Sequence, residues 1–240
     1  MGAIADRLRA KRNAILNMAG KYRERDIAQS CQRIRKFGLI DHWMLTHGAL
    51  FIHIPKAAGR SVQFALGMPI HQIAHLPAEA YRRADPQFFA SAYKFCVVRN
   101  PWDRLVSSFH YMQSKPGQFN SLVKQTDLRS TPDFAIFLRE LQRPLFRNQI
   151  LTRMHFLPQS HFVCDSGEAI LIDRIGRFED LPGSFDFVSA PMRGEFRLEA
   201  RNRGQHEDYR RYYRSDRDVE LVGRMYETDC RLFGYGFEEL

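Results

Sequence analysis

Short apolar runs alternate along the chain with stretches in which apolar positions recur every three or four residues. "ALFIHI" (49–54) is apolar but for His53, the pattern of a strand buried on both faces. A turn of small residues follows, and "RSVQFAL" (60–66) predicts a short helix. "HQIAHLPAEAYRRA" (71–84) predicts a loop and then a helix. "YKFCVV" (93–98) predicts a second buried strand, and "RNPWDRLVSSFHYM" (99–112) a helix capped by Asn100 with Pro101 in its first turn. "STPDFAIFLREL" (130–141) repeats that logic, with Thr131 as cap and Pro132 behind it. "EAILID" (168–173) predicts a third strand. "SDRDVELVGRMYETDCRLFGYGF" (215–237) predicts one long amphipathic helix running from a Ser215 cap to Gly234. Short apolar strands alternating with helices predict an α/β fold, a central parallel sheet covered on both faces by helices.

Residues 1–36 are rich in Arg and Lys, with Ile4, Leu8, Ile15, Leu16 and Ile27 at loosely helical spacing. They predict helices packed on the body with a solvated basic face. The chain is therefore read as a basic helical arm, 1–46, and one domain, 47–240, with no repeat or low-complexity linker inside it. The arm's basic face also suits peripheral contact with a membrane surface.

Composition sharpens this picture in two ways. With 44% hydrophobic and 12% aromatic residues, the 240-residue chain can bury a core, which excludes a disordered protein. A net charge of +9 favours an anionic partner without choosing among nucleotide, nucleic acid, acidic glycan and membrane. Cys31, Cys96, Cys164 and Cys230 are widely spaced, which disfavours a disulfide framework and favours a reducing compartment. No apolar stretch approaches the ~18 residues of a membrane span. The N-terminus is charged too early for a secretory signal, so a cytoplasmic location is expected.

The candidate chemistry lies where the two strands end. After "FIHIP" come Lys56, Ala57, Ala58, Gly59, Arg60 and Ser61. Small residues let a ligand's oxygens approach the backbone, Lys56 and Arg60 add charge, and Ser61 adds a hydroxyl donor. The order differs from the nucleotide-triphosphatase P-loop, because Lys56 precedes Gly59 rather than following the last glycine. The second strand ends in Arg99, with Ser107 two turns into the next helix. Ligands of open parallel sheets bind outside the carboxyl ends of the strands, so the two turns suggest two phosphate subsites for one ligand. Asp103 and Arg104 are read as a helix-surface pair.

"IHIPKAAGRS" followed by "KFCVVRNPWDRLVSSF" resembles the paired cofactor motifs of the sulfotransferases, especially the carbohydrate sulfotransferases and glycan 2-O-sulfotransferases. The resemblance continues through "HFLPQSHFV", "IGRFEDL" and the 206–237 segment, and spans about 49–237. It implies a P-loop-like sulfotransferase fold. It also implies sulfuryl transfer from 3′-phosphoadenosine 5′-phosphosulfate (PAPS) to a carbohydrate hydroxyl, leaving adenosine 3′,5′-bisphosphate and requiring no metal. By this resemblance Lys56 meets the oxygen bridging phosphate and sulfate. Ser61 and the 57–61 backbone hold the 5′-phosphate, and Arg99 with Ser107 holds the 3′-phosphate. The family often has Thr where this chain has Ala57 and Arg60, so two hydroxyl contacts are missing and Arg60 is a candidate to supply charge instead.

The reaction needs a base, and His is the usual one near neutral pH. His75, in "IAHLPAEAY", resembles the catalytic-His setting of the glycan 2-O-sulfotransferases, although Ala74 and Leu76 depart from it in detail. His155, in the His-x-x-Pro-Gln pattern, is the runner-up and a candidate contact for the acceptor. His53 reads as a core histidine, and His110 can face either way. His71 and His75 are four apart, but no carboxylate or thiol ligand accompanies them, which disfavours zinc. Eight arginines between 193 and 217 are diluted by five acidic residues, so no nucleic acid partner is expected. Arg203, His206 and Arg210 are candidates to close over the nucleotide. Arg177 is expected to pair with Glu179 or Asp180. The alternatives are a nucleotide kinase, with Asp173 as a magnesium-holding aspartate, and a non-catalytic basic module for nucleotides or polyanions.

Overall fold

Parallel pairing of three strands organises the protein. The computed structural model describes residues 2–69, 75–114, 133–198 and 207–238, with the backbone alone for 2–19. After α1 (Gly2–Phe37) and α2 (His42–His47) comes β1 (Ala49–Ile52), followed by α3 (Gly59–Ala65), α4 (Ala78–Ala84) and α5 (Pro86–Ser91). β2 (Tyr93–Val98) leads into α6 (Pro101–Gln113), with α7 (Phe134–Leu141), α8 (Pro144–Ile150) and α9 (Ser160–Val163) beyond it. β3 (Arg174–Arg177) is followed by α10 (Leu181–Ser189), a 3₁₀ turn (Tyr209–Tyr212), α11 (Asp216–Met225) and α12 (Glu227–Phe233). The sheet order is β1-β2-β3, in register from Ala49↔Tyr93 to Ile52↔Cys96 and from Phe95↔Arg174 to Val98↔Arg177. Parallel neighbours require crossovers, and the intervening helices supply them. The result is a single mixed α/β domain, a parallel sheet flanked by helices.

Two apolar clusters hold these layers. One surrounds the sheet and includes Leu50, Ile52, Phe95, Val62 and Phe185. The other joins the outer side of α6 to α7 and α11 through Trp102, Phe109, Phe137 and Val222. α6 belongs to the second, and its residues from Pro101 to Phe109 are all buried. As expected, Asn100 caps it, accepting from the N–H of Trp102 and Asp103.

Three predicted elements differ. The third strand is Arg174–Arg177 rather than 168–173: Ile170 makes only an isolated antiparallel bridge with Cys164 and is 41% exposed. Asp173 instead closes the end of the ladder, its carboxylate accepting from the N–H of Lys94 at 2.7 Å. The true strand is hidden in the sequence because both of its end residues are arginines. Their guanidiniums lie over rings, Arg174 over Phe187 and Arg177 over Tyr235. Gly176 lets α10 approach, since a Cβ there would stand 2.9 Å from that of Ser184. The long C-terminal helix is two helices, broken at Tyr226 (φ −118°, ψ 30°), whose buried hydroxyl donates to Phe156 O at 2.9 Å. Ser215 caps the first and left-handed Gly234 ends the second. The cap of α7 is Asp133, which accepts from the N–H of Ala135; Thr131 lies outside the described residues.

The second half of α1 joins the body of the domain. Ile27 and Ile34 are buried in the cluster around the sheet. Tyr22 donates to Thr152 O at 2.6 Å, Arg23 to Cys164 O at 2.6 Å, and His161 Nε2 lies 2.9 Å from Asp26 Oδ2. Among the described residues no helix is long and apolar enough to cross a membrane. Ile27→Ala should lower stability by about 2–4 kcal/mol in denaturant unfolding. A loss under about 0.5 kcal/mol, the size of an ordinary surface substitution, would show that α1 does not belong to the cooperative unit.

Candidate functional site

The chain leaves β1 through a loop whose backbone alternates in hand. Lys56 (φ 68°) and Ala58 (φ 59°) are left-handed, while Ala57 between them is not. Such alternation turns successive N–H groups toward one concavity, an arrangement suited to anions. It is costly for residues with a Cβ, which is why it concentrates at functional loops. Gly59 is required by close packing: a Cβ there would lie 1.9 Å from two atoms of the His53 ring. His53 is buried against Phe51, with ring centroids 5.6 Å apart.

The end of β2 meets this loop. Arg99 is buried, donates from Nε to Asp103 Oδ2 at 2.7 Å and from Nη1 to Lys56 O at 3.1 Å, and lies 3.9 Å over the Phe178 ring. Asp103 and Arg104 are therefore not a surface pair, because the helix carrying them is buried on all sides. Asp103 orients Arg99, and Arg104 is 1% exposed. Arg104 donates to Pro55 O (3.5 Å), His155 O (3.3 Å) and Leu157 O, joining the first loop to the segment before α9. Among the described residues no carboxylate lies within ion-pair distance of Lys56 or Arg104. Burial and then the charge of Arg99 lower Lys56 to about 8, and its Nζ rests 4.4 Å over the Tyr111 ring.

Three imidazoles border these cations. His53 and His75 ring centroids are 4.3 Å apart, His75 and His155 6.2 Å, and His155 and Tyr111 4.8 Å. His75 Nδ1 lies 2.9 Å from His53 O. A carbonyl can only accept, so Nδ1 carries the proton and neutral His75 presents a lone pair at Nε2. Burial lowers the pKa of His75, which the bond to His53 O partly offsets. Burial followed by His75, Lys56 and Arg104 takes His155 down to about 4, and burial followed by His75 and Arg60 takes His53 to about 3. The His155 carbonyl is pinned by Ser108 Oγ at 2.8 Å as well as by Arg104.

The structure thus brings Lys56, Ala57, Ala58, Gly59, Arg99, His75 and His155 together at the carboxyl ends of β1 and β2. In the first turn of α3, Arg60 is exposed and Ser61 half-buried. Ser107 is buried on α6, one turn before Tyr111. His110 turns toward Tyr212, with ring centroids 5.3 Å apart. Arg210 is not joined to this group by any contact; it pairs with Asp208 and Glu238, each at 3.2 Å. Arg177 bonds Phe233 O at 2.6 Å rather than Glu179 or Asp180, which bond Asn100 N and cap α10. Asp173 lies at the opposite, amino end of the sheet beside Lys94, where it can serve no ligand of Lys56. His71, Arg203 and His206 lie outside the described residues.

Sequence reasoning missed Arg104, Tyr111, Gln159 and Asp229. Gln159 is fully buried and so does not contact an acceptor; it bonds the main chain of Arg99. Its place in the His-x-x-Pro-Gln pattern was the available signal. Among the described residues no group of three or more His, Cys, Asp or Glu side chains is placed to hold a metal ion.

Residues 45–236 match the model of the sulfotransferase family, so the chain belongs to that family. No curated protein and no solved structure matches it.

The buried imidazoles make stability depend on pH. Unfolded His takes a proton near 6.5, whereas folded His155 does so only near 4 and His53 near 3. The unfolded chain binds more protons in that window, so stability should fall as pH drops from about 6.5 toward about 4. Denaturation measured across this range should show the decline, shallower in His155→Phe. Imidazole resonances of His53 and His155 that titrate near 6.5 in the folded protein would contradict the burial.

Proposed function

We propose that this member of the sulfotransferase family moves a sulfuryl group from PAPS to a hydroxyl of a carbohydrate acceptor, with His75 as general base. The carrying observation is the meeting of two strand ends, Arg99 Nη1 on Lys56 O at 3.1 Å, beside a His75 whose Nδ1 is tied to His53 O. The left-handed turns at Lys56 and Ala58, and a Lys56 ammonium with no carboxylate at ion-pair distance among the described residues, suit an anionic donor. That donor supplies an activated sulfur, so that an alkoxide oxygen bonds to sulfur as the sulfur–oxygen bond to its 5′-phosphate breaks.

The residues divide the work. The 57–61 backbone and Ser61 hold the 5′-phosphate, and Arg99 with Ser107 holds the 3′-phosphate. Lys56 leaves its place over Tyr111 to meet the charge that develops on the departing phosphate oxygen, an interaction stronger in the transition state than before it. His75 Nε2 takes the acceptor proton, while His155, fixed at its carbonyl by Arg104 and Ser108, borders the acceptor side. A cleft of about 440 Å³ opens beyond His110, lined by Phe134, Tyr212, Arg211 and Arg214 among others, and offers aromatic faces and guanidiniums to a polar ring. In this reading Arg210 is a second-line nucleotide contact that must first release Asp208 and Glu238.

Adenosine 3′,5′-bisphosphate should raise the melting temperature, and ATP with magnesium should not. Sulfuryl transfer should persist in chelator. Lys56→Ala should abolish turnover while costing much less in bisphosphate affinity, and His75→Ala should lower kcat about 10²–10⁴-fold with nucleotide binding kept. Stabilisation by ATP alone would point to a kinase, and a normal kcat in His75→Ala would move the base to His155.

The pH profile supplies a separate check. Free Lys56 is protonated below about 8, so kcat/KM should fall as pH rises through that value. Since His75 lies below the ordinary imidazole range, activity should extend into mild acid rather than fail near 6.5. A flat alkaline limb would exclude a protonated Lys56 from the free enzyme's working form.

A further inference from the structure

β1 pairs with β2 only as far as Ile52↔Cys96, and the β2–β3 ladder ends at Val98↔Arg177. Arg99 comes next, carrying main-chain groups that no neighbouring strand can satisfy. The Gln159 side chain satisfies both. Its Oε1 accepts from Arg99 N at 2.9 Å and its Nε2 donates to Arg99 O at 2.7 Å, reproducing the two-bond exchange of a strand neighbour. Gln159 is held in turn: Asp229 Oδ2 accepts from its N–H at 2.7 Å, and Asp229 Oδ1 from that of Ser160 at 2.8 Å. Gln159 and Asp229 are both fully buried. Asp229 belongs to α12, so a carboxylate near the end of the chain braces the tip of a central strand.

A buried carboxylate devoted to two amide protons is a demanding way to hold a loop, because burial works against its ionised form and raises its pKa. Through the Gln159 amide it steadies a side chain that reads a single residue's backbone. That residue aims a guanidinium already tied at Nε to Asp103 and at Nη1 to Lys56 O. Fixing the backbone together with those bonds leaves Arg99 little freedom of direction. A guanidinium grips phosphate well only when its planar fork is aligned beforehand.

We infer that Gln159, braced by Asp229, is a positioning residue that pre-aligns Arg99 for the 3′-phosphate of the nucleotide. The inference rests on the donor reading above and adds to it the element that makes recognition of the 3′-phosphate selective. Gln159→Glu keeps the side chain's shape but replaces the donor to Arg99 O with an acceptor. Asp229→Asn likewise keeps shape while setting an NH₂ group against one of the two amide protons.

The test is calorimetric titration of the full chain with adenosine 3′,5′-bisphosphate and with adenosine 5′-monophosphate, which differ only in the 3′-phosphate. The wild-type protein should prefer the bisphosphate. Gln159→Glu should weaken bisphosphate binding at least about tenfold and leave monophosphate binding within about twofold. If Gln159→Glu melts below the working temperature, Asp229→Asn should show the same selective loss. Equal losses for both nucleotides, or none, would overturn the positioning role, since a merely structural residue does not distinguish them. A wild-type protein with no preference for the bisphosphate would overturn the donor reading itself, and the inference with it.

Discussion

A guanidinium buried without a carboxylate at bonding distance is the constraint around which the site is arranged. Removing such a charge from water costs several kcal/mol unless fixed dipoles replace the solvent. For Arg104 the replacement is main-chain carbonyls, Pro55 O from the first loop and His155 O and Leu157 O from the segment before α9. Those bonds make the position of the anion loop and the position of His155 a single geometric fact. α6 can act as the beam between them because its residues from Pro101 to Phe109 are all buried.

Electrostatics follow from that arrangement. Three cations, Lys56, Arg99 and Arg104, gather at the strand ends with Asp103 bound to one of them. Burial pushes His53, His75 and His155 below their ordinary range, and for His155 the charges of Lys56 and Arg104 add to it. The cations at the strand ends favour an anion in the cradle. A dianionic group there would relieve the mutual repulsion of Lys56 and Arg99.

The sheet is short, and its ends are finished by side chains. Gln159 completes the pairing of Arg99, Glu179 accepts from Asn100 N at 2.6 Å, and Asp173 closes the opposite end against Lys94. Each of these residues is polar and lies far in sequence from its partner. A three-stranded sheet therefore owes its functional edge to groups outside the strands.

Local pattern determined β1, β2, the Asn100 cap, the breaks at Ser215 and Gly234 and the two basic turns, because each depends on neighbours within a few residues. The order of the paired motifs was enough to point to the family, and it drew attention to Lys56 and Arg99, as the setting of "IAHLPAEAY" did to His75. What only the tertiary structure decided depends on long-range contact. Arginine-bearing β3 is a strand because β2 and nearby rings make it one, and Tyr226 breaks a continuous amphipathic pattern because its hydroxyl must reach Phe156 O. Asp103 and Arg104 read as a surface pair since helical spacing says nothing about a second apolar layer over the same helix. Gln159 and Asp229 act through main-chain groups of other segments, and a linear sequence records the side chains but not which backbone they will meet.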